Sequence, residues 1–343
     1  MRFRFQAPFI MRTGYGKLAC WLAQEFLARF DTKVEVAAHQ GKAYEDIPDN
    51  VKKALNKPAN YRGLGLLLSY PDHVHYLPTT LKTIYSMWET TRVPSRFVAD
   101  LRMADTIFTP STFCKSVFET EVSGVRVENV GCGVDTKFYS MREFKDDGPL
   151  HFGTCGVMSP RKGVDVLLEA FNAVAEKPDV VLSIKTRDTR WLPRSIPPNV
   201  RVIDEEWNEE EMRDFYGTLD YFMLPTRGEG FGLGPIEAAC CGVPGYVTNW
   251  SGPRDYIGDY VRGIEWRTLS APPKGAFRGD GHGRWVEPSV GHLASIFEEL
   301  YNTGKPTSER RINVSRWARG NYNIEAVADR IHAGLRRLLD ERR

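Results

Sequence analysis

The sequence feature that most restricts the fold is a regular alternation of short apolar segments with longer amphipathic ones. In the first half of the chain, segments typical of strands occupy residues 2–10, 33–38, 64–69, 83–87 and 106–109. Segments with helical periodicity lie between or after them, at 18–30, 97–102 and 111–120. Strands that alternate with helices in this way favour a parallel, doubly wound α/β sheet.

The same alternation starts again after a polar segment, 140–149, which we interpret as a linker. Predicted strands follow at 151–157, 180–185, 200–203, 221–224 and 245–248, and predicted helices at 162–176, 235–241, 292–301 and 325–339. The chain has 343 residues, more than the about 100–200 of a usual single domain. We therefore predict two Rossmann-like domains, 1–145 and 146–325, and a C-terminal helix, 326–343, that packs back toward the first domain.

The composition excludes several classes of protein. Apolar residues make up 42% of the chain and charged residues 26%, which is typical of a globular protein and not of a disordered or coiled-coil chain. The formal net charge of +2 does not by itself indicate a nucleic-acid partner. The six cysteines form no CxxC pair, and no apolar run reaches the ~18 residues of a membrane span. We expect a cytoplasmic protein without a disulfide framework.

The densest group of candidate functional residues is segment 227–237, which follows the predicted strand 221–224. Its alternating glycines allow a backbone to approach a ligand closely, and Pro235 suits the first turn of a helix. Backbone N–H groups at such a helix start are a ready site for a phosphate or sugar oxygen. Glu229 and Glu237 flank this point, and a carboxylate can accept two hydrogen bonds from vicinal hydroxyls. The alternative is a tight strand-to-helix turn with no ligand.

Here the sequence resembles a known family. Glu229 and Glu237 are separated by seven residues, as in the signature of family-4-type retaining glycosyltransferases with the GT-B fold. Further segments similar to that family lie in the expected order along the chain, at 130–135, 160–163, 237–239, 242–244 and 251–253. The resemblance implies two Rossmann-like domains facing a central cleft and transfer of a sugar from a nucleoside-diphosphate donor. The short chain also looks similar to glycosyltransferases carried by bacteriophage, which implies the cytoplasm of a bacterium or of an infected host.

The resemblance implies a role for each matching residue. Glu229 would hold hydroxyls of the donor sugar, Glu237 would hold the nucleotide ribose, and Lys162 would neutralise the diphosphate as the leaving group gains charge. The loop after the strand would share that task through its backbone; its donor-binding residues are Gly230, Phe231, Gly232 and Leu233.

Two positions depart from the family pattern. The family has an Arg six residues before the Lys, and here that position is Gly156. The adjacent cation Arg161 is the candidate replacement; otherwise it is an exposed residue at a helix start. The second departure is Asp255, where the family often has Glu.

Segment 13–17 resembles the glycine loop that follows the family's first strand. Gly14 and Gly16 would contact the donor, and Tyr15 and Lys17 would lie on the acceptor side together with His73. Taken alone, the glycines also resemble a dinucleotide fingerprint, with Glu35 about 20 residues later. That pattern leaves a nicotinamide-dependent oxidoreductase as an alternative class.

Glu89 is the third candidate catalytic residue. It lies in segment 85–90 after a predicted strand, where the family often places a catalytic histidine or acid. The alternative is a loop glutamate beside Trp88. No Asp-x-Asp motif occurs in a matching context, so we expect neither a metal ion nor a cofactor beyond the donor, for which a UDP-hexose is the expectation.

The sequence leaves the acceptor open between a saccharide and modified DNA. Residues 1–17 contain the cations Arg2, Arg4, Arg12 and Lys17 and no acid. Some phage glycosyltransferases modify hydroxymethylated pyrimidine bases, so the resemblance allows a polyanionic acceptor; otherwise these cations are ordinary surface residues. A glycosidase with two carboxylates and a non-catalytic nucleotide-sugar-binding protein are the remaining alternatives.

Overall fold

The computed structural model describes residues 1–39, 46–142, 148–273 and 282–342. The chain divides into two compact units. Unit 1 consists of Met1–Trp88, Arg92–Asp135 and Tyr322–Arg343, and unit 2 of Glu89–Thr91 and Thr136–Asn321. Most of the charged part of the predicted linker, 143–147, lies outside the described residues.

Unit 1 contains a six-stranded parallel sheet with the order β2-β1-β3-β4-β5-β6. Its strands are β1 Arg2–Ala7, β2 Lys33–Ala38, β3 Leu64–Leu68, β4 Leu81–Tyr85, β5 Thr106–Thr109 and β6 Arg126–Asn129. Its helices are α1 Gly14–Ala28, α2 Asp49–Leu55, α3 Ser95–Leu101, α4 Thr112–Glu121 and, near the end of the chain, α10 Ile324–Glu341.

Apolar side chains that alternate along β1 join this sheet to α1. Phe3 and Phe5 are fully buried, and both rings meet Phe26 of α1 edge-on, at 5.3 and 5.4 Å between centroids. The segment that follows α1 contacts α10. The ring of His332 in α10 stacks on the ring of Phe30, with 4.1 Å between the two centroids. The last helix therefore belongs to unit 1.

Unit 2 contains a second six-stranded parallel sheet with the order β12-β11-β10-β7-β8-β9. Its strands are β7 Leu150–Cys155, β8 Val180–Thr186, β9 Val200–Asp204, β10 Tyr221–Leu224, β11 Gly245–Thr248 and β12 Val261–Ile264. An antiparallel pair, β13 Trp266–Ser270 and β14 Trp285–Pro288, forms a separate two-stranded sheet in the same unit. The helices are α5 Val164–Phe171, α6 Glu209–Thr218, α7 Leu233–Cys240, α8 Val290–Thr303 and α9 Ser308–Asn321.

The core of unit 2 lies between its sheet and helices α5 and α8. Phe152 of β7, Phe171 of α5 and Phe297 of α8 are fully buried. The ring of Phe297 meets the other two edge-on, at 4.8 and 5.4 Å between centroids. The predicted fold class, two Rossmann-like α/β units with parallel sheets, is confirmed.

Two predicted elements need correction. The predicted loop over 13–17 is the start of a helix, because Thr13 caps α1 by accepting a hydrogen bond from the Gly16 amide at 3.0 Å. The predicted helix 162–176 is divided into a 3-10 turn, Pro160–Lys162, and the shorter α5. Gly163 separates them in the left-handed region, φ +68°, and a Cβ there would lie 1.9 Å from the Pro225 carbonyl oxygen.

Each parallel sheet brings the carboxyl ends of its strands to one edge, which is where doubly wound folds bind ligands. In unit 2 that edge carries the residues that follow β7, β8 and β10. No helix among the described residues has both the length and the apolar character required to cross a membrane.

Candidate functional site

The loop between β10 and α7 is packed closely against two neighbouring segments of unit 2. A Cβ at Gly228 would lie 2.2 Å from the carbonyl oxygen of Glu89, so only glycine fits there. On the other side, the Glu229 amide donates to Ser251 Oγ at 3.0 Å and the Glu229 carbonyl accepts from the Gly252 amide at 3.0 Å. These contacts fix the backbone on both sides of the Glu229 side chain.

The carboxylate of Glu229 lies between two cations. Its Oε1 is 2.6 Å from Lys162 Nζ and 2.9 Å from Arg161 Nη1. Burial alone would raise the pKa of this carboxyl, but the positive charges of Arg161 and Lys162 outweigh it and lower the pKa to about 2. Glu229 is therefore ionised at neutral pH although only 6% of it is exposed.

Arg161 is joined to the β10–α7 loop through its backbone as well as its side chain. Its carbonyl accepts from the Arg227 amide at 2.7 Å and from Thr226 Oγ1 at 3.0 Å. Its guanidinium also donates to the Gly228 carbonyl. The turn that carries Arg161 and Lys162 and the loop that carries Glu229 are thus held as one unit.

Arg227 is a positioning residue that the sequence reasoning missed. Its guanidinium forms a two-pronged ion pair with Asp165 of α5, at 2.7 and 2.9 Å, and a third contact with Glu287 of β14 at 2.7 Å. Burial raises the pKa of Asp165, but the bond to Arg227 outweighs it and the pKa is lowered. Nothing in the spacing of residues 165, 227 and 287 could have revealed this network.

Glu89 lies in the same unit as Glu229, because segment Glu89–Thr91 clusters with unit 2. Thr91 and Arg284 exchange two hydrogen bonds, at 3.0 and 2.9 Å, and Thr90 Oγ1 donates to the His282 carbonyl at 3.1 Å. Burial, together with the charge of Glu229, raises the pKa of Glu89 against the opposing effect of Arg161 and Lys162. The structure therefore brings the three predicted catalytic residues, Glu89, Lys162 and Glu229, into one electrostatic group.

Glu237 lies on α7, the helix that follows the loop, and is almost fully buried. Its Oε2 accepts a hydrogen bond from the Tyr216 hydroxyl at 2.6 Å. The same hydroxyl lies 3.2 Å from the sulfur of Cys155, at the end of β7. Tyr216 is thus a second residue that the sequence reasoning missed, and it holds the Glu237 carboxylate close to the carboxyl end of β7.

The predicted donor-binding backbone lies at the start of α7. Gly232 is the N-cap and Leu233 the first helical residue, so the amides after Gly230 lie at the positive end of the helix. The Phe231 ring is buried edge-on against Tyr256 at 5.3 Å, and the Tyr256 hydroxyl donates to the Phe231 carbonyl at 2.9 Å. This anchoring leaves the loop little freedom to move.

Lys185 is a further buried cation at the same edge. Its ammonium donates to the carbonyls of Glu205 and Thr186 and lies 4.9 Å from the ring of Trp207. Burial lowers its pKa. Its own carbonyl accepts from the Gly156 amide at 3.0 Å, so the ends of β7 and β8 and the segment after β9 are tied together.

The remaining predicted residues lie in unit 1. Gly14, Tyr15, Gly16 and Lys17 form the first turn of α1, and Lys17 is 9% exposed. The Tyr15 hydroxyl accepts from the Met87 amide at 3.2 Å. His73 lies in a 3-10 turn, Pro71–Tyr76, after β3 and is buried.

The cations considered for a polyanion are engaged in contacts within unit 1. Arg2 forms an ion pair with Glu35, and Arg12 lies 3.3 Å from Asp46. Arg4 donates to the Ala59 carbonyl. Arg2 and Arg4 belong to the amino-terminal half of β1, away from the carboxyl edge of the sheet.

Among the residues that the structure describes, no group of three or more His, Cys, Asp or Glu side chains is arranged to hold a metal ion. The β10–α7 loop instead combines the cations Arg161 and Lys162 with the Glu229 carboxylate. Cations of this kind can bind phosphates, and carboxylates can bind hydroxyls.

Part of the sequence of unit 2 matches a family model. Residues 149–274 match the family described as "Glycosyl transferases group 1", and this segment contains the complete Arg161–Lys162–Glu229–Glu237 arrangement. The predicted resemblance to glycosyltransferases is therefore confirmed for this segment, while the family-4 subtype and retention stay predictions.

Individual relatives cover parts of the chain. "Uncharacterized glycosyltransferase 335" of Sulfolobus islandicus rod-shaped virus 1 is 31% identical over 101 residues, 28% of this chain and 30% of the relative. The "O-antigen biosynthesis glycosyltransferase WclY" of Escherichia coli is 28% identical over 137 residues, 36% of this chain and 35% of the relative. The chain thus spans about a third of the length of these relatives.

Solved structures are similar over nearly the whole chain. Sucrose-phosphate synthase from Thermosynechococcus elongatus has a TM-score of 0.70 at 13% identity and covers 99% of this chain and 100% of its own. HepE from Anabaena, in complex with UDP and glucose, has a TM-score of 0.67 at 13% identity, with 98% and 99% covered. These similarities establish that the fold is the GT-B type.

Proposed function

We propose that this protein is a glycosyltransferase that moves a hexose from a UDP-sugar to a hydroxyl acceptor with retention of the anomeric configuration and without a metal ion. The observation that carries the proposal is the Glu229 carboxylate held against Lys162 and Arg161 at the start of α7. The match of residues 149–274 to group 1 glycosyltransferases supports the same conclusion.

The positive charges beside Glu229 are suited to binding the diphosphate of a nucleoside diphosphate. Lys162 and Arg161 supply two positive charges, and the amides at the start of α7 add the positive end of a helix. Preorganised positive charge of this kind stabilises the leaving diphosphate more in the transition state than in the ground state. Arg161 thereby supplies the positive charge that the family has at the position occupied here by Gly156.

Each of the two carboxylates would bind a different sugar ring of the donor. Glu229, ionised and fixed by its backbone bonds, accepts hydrogen bonds from hydroxyls of the transferring hexose. Glu237, oriented by Tyr216, accepts from the ribose hydroxyls. HepE, whose fold is similar, has been crystallised with UDP-glucose, which supports a UDP-hexose as the donor.

The proposed reaction exchanges one bond at the anomeric carbon for another. The bond from C1 to the phosphate oxygen breaks, and a bond from C1 to the acceptor oxygen forms on the same face of the ring. The departing phosphate oxygen takes the acceptor proton, so the products are a glycoside and UDP. The protein positions the reactants and stabilises charge.

The decisive experiment measures UDP release from several UDP-hexoses in the presence of saccharide acceptors and of a hydroxymethylated oligonucleotide. We expect turnover with at least one pair, and proton NMR of the product should show the anomeric configuration of the donor. Glu229→Gln should abolish transfer, whereas Glu169→Gln, on the exposed face of α5, should not. Donor binding without turnover on any acceptor would instead indicate a binding protein, and an inverted product would refute retention.

A further inference from the structure

Strand β14 lies outside the two parallel sheets, but residues on it and just before it contact two segments of the proposed donor site. The Val286 amide donates to the Arg227 carbonyl at 3.1 Å, and Arg284 and Thr91 exchange two hydrogen bonds. Trp285 and Val286 are almost fully buried. The strand is therefore anchored on both sides of the loop that carries Glu229.

The carboxylate of Glu287, on β14, is engaged through both of its oxygens. Oε1 accepts from the Ser270 hydroxyl at 2.6 Å, and the oxygen of that hydroxyl accepts from Trp285 Nε1 at 2.8 Å. Oε2 accepts from Arg227 Nε at 2.7 Å. Ser270 belongs to β13 and Trp285 is buried, so the two-stranded sheet itself orients the carboxylate that binds Arg227.

Arg227 connects Glu287 to the 3-10 turn 160–162. Its Nη1 donates to the Pro160 carbonyl, and its amide donates to the Arg161 carbonyl at 2.7 Å. Only 9% of Arg227 is exposed, so water offers few alternative partners to its guanidinium. Two carbonyls of the turn are therefore held by one arginine, and Glu287 is one of the groups that fix that arginine.

The turn is too short to hold its geometry alone. It spans three residues, with bonds from the Lys162 amide to the Ser159 carbonyl at 2.9 Å and from the Gly163 amide to the Pro160 carbonyl at 3.3 Å. A single 3-10 turn depends on tertiary contacts, because it closes too few bonds to offset the order it requires. The turn carries both Lys162 and Arg161, so whatever fixes it fixes both positive charges at once.

We propose that Glu287 is a positioning residue for the diphosphate site and acts through Arg227. Ser270 orients the Glu287 carboxylate, which in turn holds the Arg227 guanidinium against the turn. The turn then presents Arg161 and Lys162 to the diphosphate of the donor in one fixed geometry. This inference rests on the proposed function, because it takes a diphosphate as the ligand of the two cations.

The effect of Glu287 is on geometry and not on charge balance. In Glu287→Ala, Arg227 keeps its two-pronged ion pair with Asp165, at 2.7 and 2.9 Å, so no buried positive charge is left without a counter-ion. The guanidinium then has one anionic neighbour instead of two. It can shift about the Asp165 pair, which loosens its hold on the Pro160 carbonyl.

Calorimetry of the full chain with UDP and with uridine separates this role from a general loss of structure. Uridine lacks the diphosphate, so the ratio of the two dissociation constants reports on the diphosphate site alone. Glu287→Ala should weaken UDP binding about fivefold, as loss of one bond to a charged group implies, and leave uridine binding unchanged. Glu287→Gln keeps an acceptor for Arg227 and should restore most of the loss. Glu298→Ala, on the exposed face of α8, is the matched control and should change neither affinity.

A double-mutant cycle tests the route through the turn. In a Lys162→Met background only Arg161 remains to be positioned, so Glu287→Ala should weaken UDP binding by a smaller factor than it does alone. Ser270→Ala removes one bond to Glu287 and should cause a smaller loss of the same kind. It replaces Glu287→Ala in the same measurements if that variant does not fold.

Hydrogen exchange provides a measurement that needs no ligand. The Arg227 amide is bonded to the Arg161 carbonyl, so its exchange should become about tenfold faster in Glu287→Ala. Amides of the buried strand β8 should exchange at the same rate in the variant and in the unaltered protein. Faster exchange in both places would indicate general destabilisation and would contradict a specific role of Glu287.

The outcomes distinguish this inference from the proposed function. If Glu287→Ala leaves the ratio of the UDP and uridine dissociation constants unchanged, or if its effect adds fully to that of Lys162→Met, the positioning role is overturned and the proposed function stands. Absence of UDP binding in the unaltered protein counts against the proposed function. Hydrogen exchange then decides alone whether Glu287 holds the turn, and an unchanged rate at the Arg227 amide overturns that link.

Discussion

Lys162 Nζ lies 2.6 Å from Glu229 Oε1, and Arg161 Nη1 approaches the same oxygen at 2.9 Å. The two cations are consecutive in the chain, so a single 3-10 turn presents both to one carboxylate. Each cation keeps an anionic neighbour when the other is removed. Substitution of either one therefore tests a charge without leaving Glu229 buried and unpaired.

Lys162→Met should weaken UDP binding by at least about tenfold, because a charge-assisted contact to phosphate is worth about 1.5–3 kcal/mol. Uridine lacks the diphosphate, so its affinity should not change. Calorimetry with both ligands measures the difference. Lys53→Met, on the exposed face of α2, is the matched control. An equal loss for UDP and uridine would contradict a diphosphate role.

Glu237→Ala should weaken UDP and uridine by the same factor, because both carry the ribose whose hydroxyls would lose a charged acceptor worth about 1.5–3 kcal/mol. Tyr216→Phe removes only the bond that orients Glu237 and should cost less. Titration calorimetry of the two variants gives both affinities. If Glu237→Ala binds UDP as tightly as the unaltered protein does, the ribose assignment is wrong.

Transfer should survive chelation. The proposed diphosphate site consists of Lys162, Arg161 and helix amides, so EDTA should leave most of the rate in place. The rate is measured with and without EDTA and after addition of magnesium or manganese. Loss of activity in EDTA that either ion restores would show that the diphosphate is held through a metal.

The free energy of unfolding should fall as the solution is acidified from about pH 6.5 to about pH 4. Protonation of His151 should account for part of this loss. Its ring contacts the Thr218 carbonyl at 2.9 Å and Ser183 Oγ at 2.8 Å, and burial lowers its pKa from 6.5 to about 4. The unfolded chain therefore binds a proton in this range that the folded chain excludes, and acid favours unfolding.

Urea denaturation at about pH 7 and about pH 5 tests this expectation, with a loss on the order of 1–2 kcal/mol attributable to His151. His151→Gln removes the titrating group and should lose less stability between the two values. His39 has a similarly lowered pKa and acts in the same direction. A steeper pH dependence in His151→Gln would contradict the assignment.

The sequence predicted those parts of the fold that local patterns specify. Apolar alternation and turn residues located five of the six strands of each parallel sheet, and β6 and β12 were missed. The predicted helix 111–120 corresponds to α4, which Ser111 caps by accepting from the Cys114 amide at 3.2 Å. Segment 227–237 was correctly placed between a strand and a helix. These features depend on neighbours within a few residues, which periodicity can register.

Contacts between distant residues could not be predicted in this way. Neither periodicity nor residue spacing indicates that Arg227 binds Asp165 and Glu287, or that Tyr216 orients Glu237. Such pairs depend on which strands become neighbours, and the order of strands is a property of the whole sheet. The early start of α1 was missed because two glycines suggest a loop, whereas the Thr13 cap makes them helical.

The assignment of α10 to unit 1 has a consequence for biogenesis. The ribosome makes α10 after every residue of unit 2, so unit 2 can be completed first although unit 1 begins earlier in the chain. Until α10 emerges, its partners on α1 and in the segment that follows α1 are uncovered, including Phe30, on which His332 later stacks. A nascent chain paused before residue 324 would therefore carry a finished unit 2 and an incomplete unit 1 with exposed apolar surface.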